Sequence, residues 1–288
     1  MFFVSGITGK VGGAAATQLL AHGHQLRTLA RDPKKAAAWA AQGVDVRPGD
    51  WTDTAALTAA LEGVEAAFVM VPPMMTPAPG YPDSKAIIAS IGNALRAAKP
   101  PRIVALSSIG SEQTSGLGLI TATHLLEQEL ASPGIPTAFV RAGSFFENYV
   151  PQLGAAAATG TLHSFYVPVD RAIPMIATED IGKQVASLLT ENFTTNKIIE
   201  LGTLTTPTQV AAAMSEALAR PVQPQAVPRE QWSAAFASFG MPPGSSWAYE
   251  EMLDGVNSGW IRFGVPGTEP VAATLAPAEV FRKAPASS

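Results

Sequence analysis

Hydrophobic positions along this chain fall into short runs separated by helical stretches. Phe2, Phe3 and Val4 read as an apolar strand, followed by good helix formers up to Leu20. Residues 25–30 alternate in character and predict a second strand, and 44–47 a third. Residues 66–71 are continuously apolar, as expected of a strand covered on both faces. Further strands are predicted over 102–106 and 137–141, and helices over 36–42, 53–61, 83–98 and 121–131. Thr52 or Asp53 caps the second of these helices. The stretch 72–82 carries Pro72, Pro73, Pro77, Pro79 and Pro82 and cannot be regular structure. Strand–helix alternation with short connections argues for a doubly wound parallel sheet with helices on both faces and right-handed crossovers.

Beyond about residue 150 the texture changes. Residues 154–160 are alanine-rich and turn-like, 173–177 read as a strand, 179–189 as a helix and 197–201 as a strand. A helix over 207–218 has Thr206 as its cap. From Val227 onward the chain is rich in aromatics, proline and glycine, and 284–288 read as a frayed tail. The expected organisation is a sheet domain over 1–150, with about 173–205 returning to it, and a smaller α/β region over 151–288 that binds substrate.

The first strand enters its helix through Gly6-Ile7-Thr8-Gly9-Lys10-Val11-Gly12. Closely spaced glycines between a strand and a helix make a phosphate-binding turn. Gly6 suits a sharp turn, Gly9 lets a pyrophosphate approach the main chain, and Gly12 lets the helix pack on the strand. Free amides at the helix start, aided by the dipole, face the phosphates. A dinucleotide should therefore lie across the C-terminal ends of the strands, where strand order reverses. An ordinary βα turn that needs only small residues is the plain alternative.

Composition narrows the field. At 288 residues the chain can bury a large core, and its net charge of −4 gives no reason to expect a nucleic-acid partner. With no cysteine, disulfides, zinc thiolates and a cysteine nucleophile are excluded. No polybasic run, basic leader or long apolar segment appears, so the expectation is a cytoplasmic protein without membrane association. His22, His24 and His163 lack metal-ligand spacing, so no metal site is expected, and no Gly-x-Ser-x-Gly elbow supports a hydrolase.

The second strand ends at Ala30-Arg31, where NAD-binding sheets usually carry an acid for the ribose. A guanidinium there suits the 2′-phosphate of NADP, with Lys34 and Lys35 adding positive charge. Asp32 is the alternative acid for NAD. Asp50 could accept from the adenine amino group beside Trp51, itself a candidate packing residue. Met70, Val71 and Pro72 would flank the middle of the cofactor, and Ser107 and Ser108 would face its nicotinamide end.

Together these pieces resemble the NmrA-like family of atypical short-chain dehydrogenase/reductases. They are the glycine turn, Arg31-Asp32-Pro33, Gly49-Asp50, Ser107-Ser108-Ile109-Gly110 and Arg141-Ala142-Gly143-Ser144-Phe145-Phe146-Glu147-Asn148, with Ala177 to Gly182 and residues 205–228 beyond. The resemblance implies a Rossmann domain with a small C-terminal substrate domain. Family members include NADPH-dependent quinone reductases, dye and azo reductases, and cofactor-sensing regulators. One departure matters. Ordinary short-chain dehydrogenases use a Tyr-x-x-x-Lys pair, but residues 121–131 hold neither residue. His124 stands where the lysine would fall and Ile120 where the tyrosine would, and the quinone-reductase-like branch is similar in carrying a histidine. A quinone or dye takes the incoming charge into its own conjugated system, so water or His124 could supply the proton. Histidine is the side chain that ordinarily titrates nearest neutrality.

Phe145, Asn148 and Tyr149 follow the sixth strand and are candidate pocket residues, as is Met74 in the proline-rich segment, a possible lid. The expectation is an NADPH-dependent reductase of a planar conjugated acceptor such as a quinone, as monomer or homodimer. The alternative is a non-catalytic NAD(P)-sensing regulator, favoured by the missing catalytic pair.

Overall fold

Phe2 and Val4 point into one core and Phe3 into another, because successive side chains of a strand face opposite ways. They form β1 (Phe2–Val4), an interior strand of the main sheet in the computed structural model, which describes residues 1–131 and 134–284. The chain continues through α1 (Lys10–Ala21), β2 (Leu26–Ala30), α2 (Ala37–Ala40), β3 (Asp45–Pro48), α3 (Thr54–Leu61), β4 (Ala66–Val69), α4 (Pro82–Ala98), β5 (Ile103–Ser108), α5 (Thr121–Ala131) and β6 (Thr137–Ala142). Then follow β7 (Ser144–Phe145), α6 (Leu153–Thr159), β8 (Thr161–Ser164), β9 (Ile173–Ile176), α7 (Thr178–Thr190), β10 (Lys197–Leu201) and β11 (Thr203–Thr205). Last come α8 (Pro207–Leu218), β12 (Gln223–Ala226), α9 (Trp232–Ser238), α10 (Trp247–Ser258), β13 (Glu269–Val271) and α11 (Pro277–Lys283).

Eight strands pair in the order β13-β10-β6-β5-β4-β1-β2-β3, every pair parallel. This is the doubly wound α/β architecture that the strand–helix alternation requires. β1 pairs with both β2 and β4, so the order reverses beside β1 and a crevice opens there at the strands' C-terminal ends. α1 and α7 cover one face through Val11, Leu19, Ile181 and Val185. α3, α4 and α5 cover the other through Leu57, Ile91, Leu95 and Leu126. α7 lies tight on α1, since a methyl group on Gly182 would come 2.4 Å from the Ala14 Cβ. Its start is fixed by Glu147, whose carboxylate accepts from the Thr178 amide at 2.9 Å and hydroxyl at 2.6 Å.

Two small sheets stand apart from this one, β11-β9-β7 and the pair β12-β8. A third core gathers around them from Phe146, Tyr149, Leu162, Met175, Met214 and Phe281. The aromatics past residue 227 build a further cluster, with Trp232 buried and Phe165 stacked on Phe236 at 4.6 Å.

The turn-like reading of 154–160 is corrected: α6 occupies Leu153–Thr159 and ends at Gly160 in the left-handed region. Alanine is the strongest helix former, and Gly160 supplies the stop. The fourth strand ends at Val69 rather than 71. The second short helix is preceded by a 3-10 turn at Pro33–Ala36 that Asp32 caps. Of the two proposed caps for α3, Asp53 does the work, accepting from the Ala56 amide at 2.9 Å. The tail beyond Ala284 lies outside the described residues. Among the described residues, no helix is long and apolar enough to cross a membrane.

Candidate active site

The glycine turn takes its shape from backbone geometry. Gly6 has φ +61°, a conformation side chains rarely adopt. Its carbonyl accepts from the Gly9 amide at 2.8 Å, closing the turn before α1. A methyl group on Gly12 would lie 2.4 Å from the Gly6 carbonyl oxygen and 2.5 Å from that of Ser5, so only glycine allows α1 this close to the end of β1. Gly9 occupies the N-cap, and no side chain caps α1. Its first-turn amides are therefore open to an anion. Thr8, Gly9 and Lys10 are exposed, whereas the Val11 side chain is buried and can offer only its amide.

A cavity of about 450 Å³ opens beside this turn, lined by Gly6, Ile7, Thr8, Leu29, Ala30, Arg31, Asp32, Lys35, Gly49 and Trp51. Two cations thus face one carboxylate, and one oxygen of that carboxylate is committed to the Lys34 amide at 3.0 Å. Arg31 is 75% exposed and only loosely paired, its Nε lying 3.8 Å from Asp50. Asp50 is not among the lining residues; its carboxylate accepts from the Thr52 amide and hydroxyl, both at 3.1 Å. Trp51 both lines the cavity and packs on the α3/α4 core. The donor set suits a dinucleotide carrying a 2′-phosphate: amides for the diphosphate, cations for the extra phosphoryl group. Ile7 and Gly49 stand in the motifs that carry the family resemblance without being singled out as walls, and Leu29 escapes a sequence reading because nothing marks a generic apolar residue at a strand end as a wall.

Met70, Val71 and Pro72 follow β4 half-buried, and the Met70 sulfur abuts the turn, 3.2 Å from where a Gly6 side chain would begin. Met74 packs on the α3/α4 core, its sulfur 3.5 Å from the Ser84 hydroxyl. Ser108 is half-buried and donates to the Ile109 carbonyl at 3.0 Å. Ser107 is a correction. It is buried and donates to Glu127 at 2.5 Å, so it belongs to a network beneath the site rather than to the cofactor surface. The center of that network is Arg141, 4% exposed, which grips Glu127 with two nitrogens at 2.9 and 2.7 Å and Glu112 with a third at 2.9 Å. Burial opposes the Arg141 charge, but Glu127, Glu112 and Glu200 outweigh it and raise its pKa. One arginine inside an otherwise apolar strand was the available signal, because such charges are buried only when paired.

His124 is half-buried on α5, with Nδ1 2.8 Å from the Ser111 carbonyl oxygen. A carbonyl only accepts, so Nδ1 carries the hydrogen and Nε2 is left free of this bond. Phe145 packs against the α1/α7 core and Asn148 is exposed. Tyr149 is corrected from pocket wall to core residue: it is 5% exposed, and its hydroxyl has no partner among the described residues. Burial pushes its phenol well above the usual range.

The sequence profile of the NmrA-like family matches residues 2–252. The chain belongs to the NmrA-like family. Among its relatives, quinone oxidoreductase 2 of Escherichia coli strain K12 is 30% identical over 250 residues, covering 85% of this chain and 84% of the relative. An NAD(P)H azoreductase of Xenophilus azovorans is 28% identical over 258 residues, covering 88% of this NmrA-like chain and 86% of the relative. The crystal structure of an Escherichia coli NADPH-dependent quinone oxidoreductase complexed with NADPH superposes with a TM-score of 0.81 at 28% identity, covering 98% of each chain.

Proposed function

We propose that this NmrA-like protein reduces a planar conjugated acceptor, such as a quinone or a dye, at the expense of NADPH. It is an oxidoreductase, and NADPH is its cofactor. The observation that carries the reading is the cavity at the ends of β1 and β2, floored by an uncapped helix start and walled by Arg31 and Lys35. Relatives named for quinone and azo-dye reduction support the acceptor class.

The amides of Lys10 and Val11, with the Thr8 hydroxyl, would hold the diphosphate, and Gly9, whose own amide closes the turn on the Gly6 carbonyl, lets it come close. Arg31 and Lys35 hold the 2′-phosphate, Trp51 covers the adenine, and the Asp50 carboxylate stays near Arg31. Met70, Val71 and Pro72 flank the middle of the cofactor, and Ser108 its nicotinamide end. When bound, the nicotinamide supplies the hydride. Met74, Phe145 and Asn148 bound the acceptor side. The proton comes from the His124 Nε2 position, since Nδ1 is committed to Ser111. Nε2 donates only from the imidazolium form. No Tyr-x-x-x-Lys pair stands on α5, which favours acceptors that delocalise the arriving electrons over alcohol–ketone chemistry.

The test is loss of reduced-nicotinamide absorbance with a panel of quinones and dyes. Turnover with planar acceptors, and none with simple ketones, is expected. Tight NADPH binding without turnover of any acceptor would refute the reductase reading and leave that of a cofactor sensor.

A further inference from the structure

The hydrogen bond that orients His124 joins two separate pieces of chain. The imidazole sits on α5, and its acceptor is the Ser111 carbonyl in the turn after β5. Nothing in that bond alone holds the two pieces in register. Arg141, on neighbouring β6, reaches both. Its Nε and one Nη clamp Glu127, one helical turn beyond His124 and so on the same side of α5. Its other Nη clamps Glu112, the residue next to Ser111.

The surrounding hydroxyls tie the same pieces again. Ser107 Oγ lies 2.5 Å from Glu127 and 3.1 Å from Ser111 Oγ, which in turn lies 2.8 Å from Thr123 Oγ1 on α5. On the far side of Arg141, Glu200 of β10 is its register partner and is fully buried, accepting from the Gly264 amide at 2.6 Å. Two carboxylates thus bond one guanidinium, and Glu200 adds a third negative charge nearby. A planar fork suits this: it fixes two carboxylates in one plane, which a lysine cannot do.

We propose that Arg141 is the positioning residue for His124, holding the helix that carries the imidazole through Glu127 and the turn that carries its acceptor through Glu112. The catalytic consequence rests on the proton-donor role proposed for His124; the geometric claim does not. Releasing Glu112 removes the charged tie on this turn and leaves the Ser111 carbonyl placed only by the weaker Ser107 and Thr123 hydroxyl bonds and the Ser108 carbonyl, so the ring loses its single fixed tautomer and direction.

Glu112→Ala is the informative variant, because it removes the loop arm and leaves the Arg141–Glu127 pair intact. Ring-nitrogen NMR of labelled protein can follow His124 among only four histidines, with His124→Ala for assignment. The wild-type ring is expected as the Nδ1–H tautomer. Glu112→Ala should turn it into an exchanging mixture, and Glu112→Gln, which keeps an acceptor for Arg141, should restore it. A Glu112→Ala ring spectrum identical to wild type would overturn the proposal.

Turnover gives an independent reading. Glu112→Ala should slow NADPH oxidation by about 10-fold, the loss of one well-made hydrogen bond, with NADPH affinity unchanged. In the His124→Ala background the same substitution should cost nothing more. Equal losses in both backgrounds would show a merely structural role and reject the positioning claim. If His124→Ala alone leaves turnover intact, the proton-donor assignment falls, and the ring spectrum still decides the geometric claim.

Discussion

Replacing Gly12 with alanine adds one methyl group where β1 meets α1. Its carbon would sit 2.4 Å from the Gly6 oxygen, 2.5 Å from the Ser5 oxygen and 2.6 Å from the Gly6 carbonyl carbon. Comfortable contact needs about 3.5 Å, so α1 must retreat by about 1 Å. All three obstacles are backbone, and none can rotate away. Overpacking of this kind costs about 3 kcal/mol, offset by about 1 kcal/mol because alanine is the better helix former. The net of about 2 kcal/mol should lower Tm by about 3 °C, since a chain of 288 residues unfolds with an entropy of about 0.6 kcal/mol/K. The retreat would also pull the first-turn amides from the diphosphate they are proposed to hold, so NADPH affinity should fall at least about 10-fold. Gly9→Ala is the contrast. There the methyl group meets one atom, the Gly6 oxygen, at 3.2 Å, and φ is −93°. This variant should melt near wild type yet bind NADPH poorly, because the added group stands on the ligand side. Thermal melts with calorimetric titration decide both. A Gly12→Ala protein with unchanged Tm and unchanged affinity would refute the close-packing reasoning.

Two further outcomes follow from the structure. His124→Ala should slow turnover with a quinone by about 10-fold or more while leaving the NADPH dissociation constant unchanged; an unaltered rate would mark the residue as structural. Burial raises the phenols of Tyr149, Tyr166 and Tyr249 above their ordinary range, so they stay neutral in the folded protein. In the unfolded chain they ionise near about pH 10, so stability should be flat below that pH and fall above it, by up to about 1.4 kcal/mol per pH unit for each phenol. Denaturant melts between neutral and strongly alkaline pH check this, and a stability that held constant above pH 10 would contradict it.

The parallel sheet was legible because its strands announce themselves twice, by apolar runs such as Ala66 to Val69 and by the glycines and caps between them. β13 was not. Glu269, Pro270 and Val271 are largely exposed, and a three-residue edge strand leaves no alternation to read. α6 was missed because Gly154 and Gly160 read as turn residues, while the four alanines at 155–158 outweighed the first glycine. At the site, the shape of the glycine turn was legible because Gly6 and Gly12 stand where backbone geometry admits no side chain, and Arg31 lies at the strand end that lines the cavity beside it. Ser107 was misread because a strand end shows which residues it carries but not which face each one takes. Its neighbour on β6, Arg141, draws it toward Glu127 and away from the crevice. Tyr149 was drawn into the pocket list by its place after β6, yet the third core claimed it.

The proposed function turns on one recognition event, a guanidinium at the end of β2 reading a 2′-phosphate. Calorimetric titration of wild type and Arg31→Ala with NADPH and NADH tests it directly. One charge-assisted contact, discounted for the 75% exposure of Arg31, amounts to about 2 kcal/mol, or about 30-fold. The expected result is tight NADPH binding by wild type, a loss of that size in Arg31→Ala, and an NADH affinity the substitution leaves alone. Equal losses for the two coenzymes, or no heat from either with the wild-type protein, would contradict it.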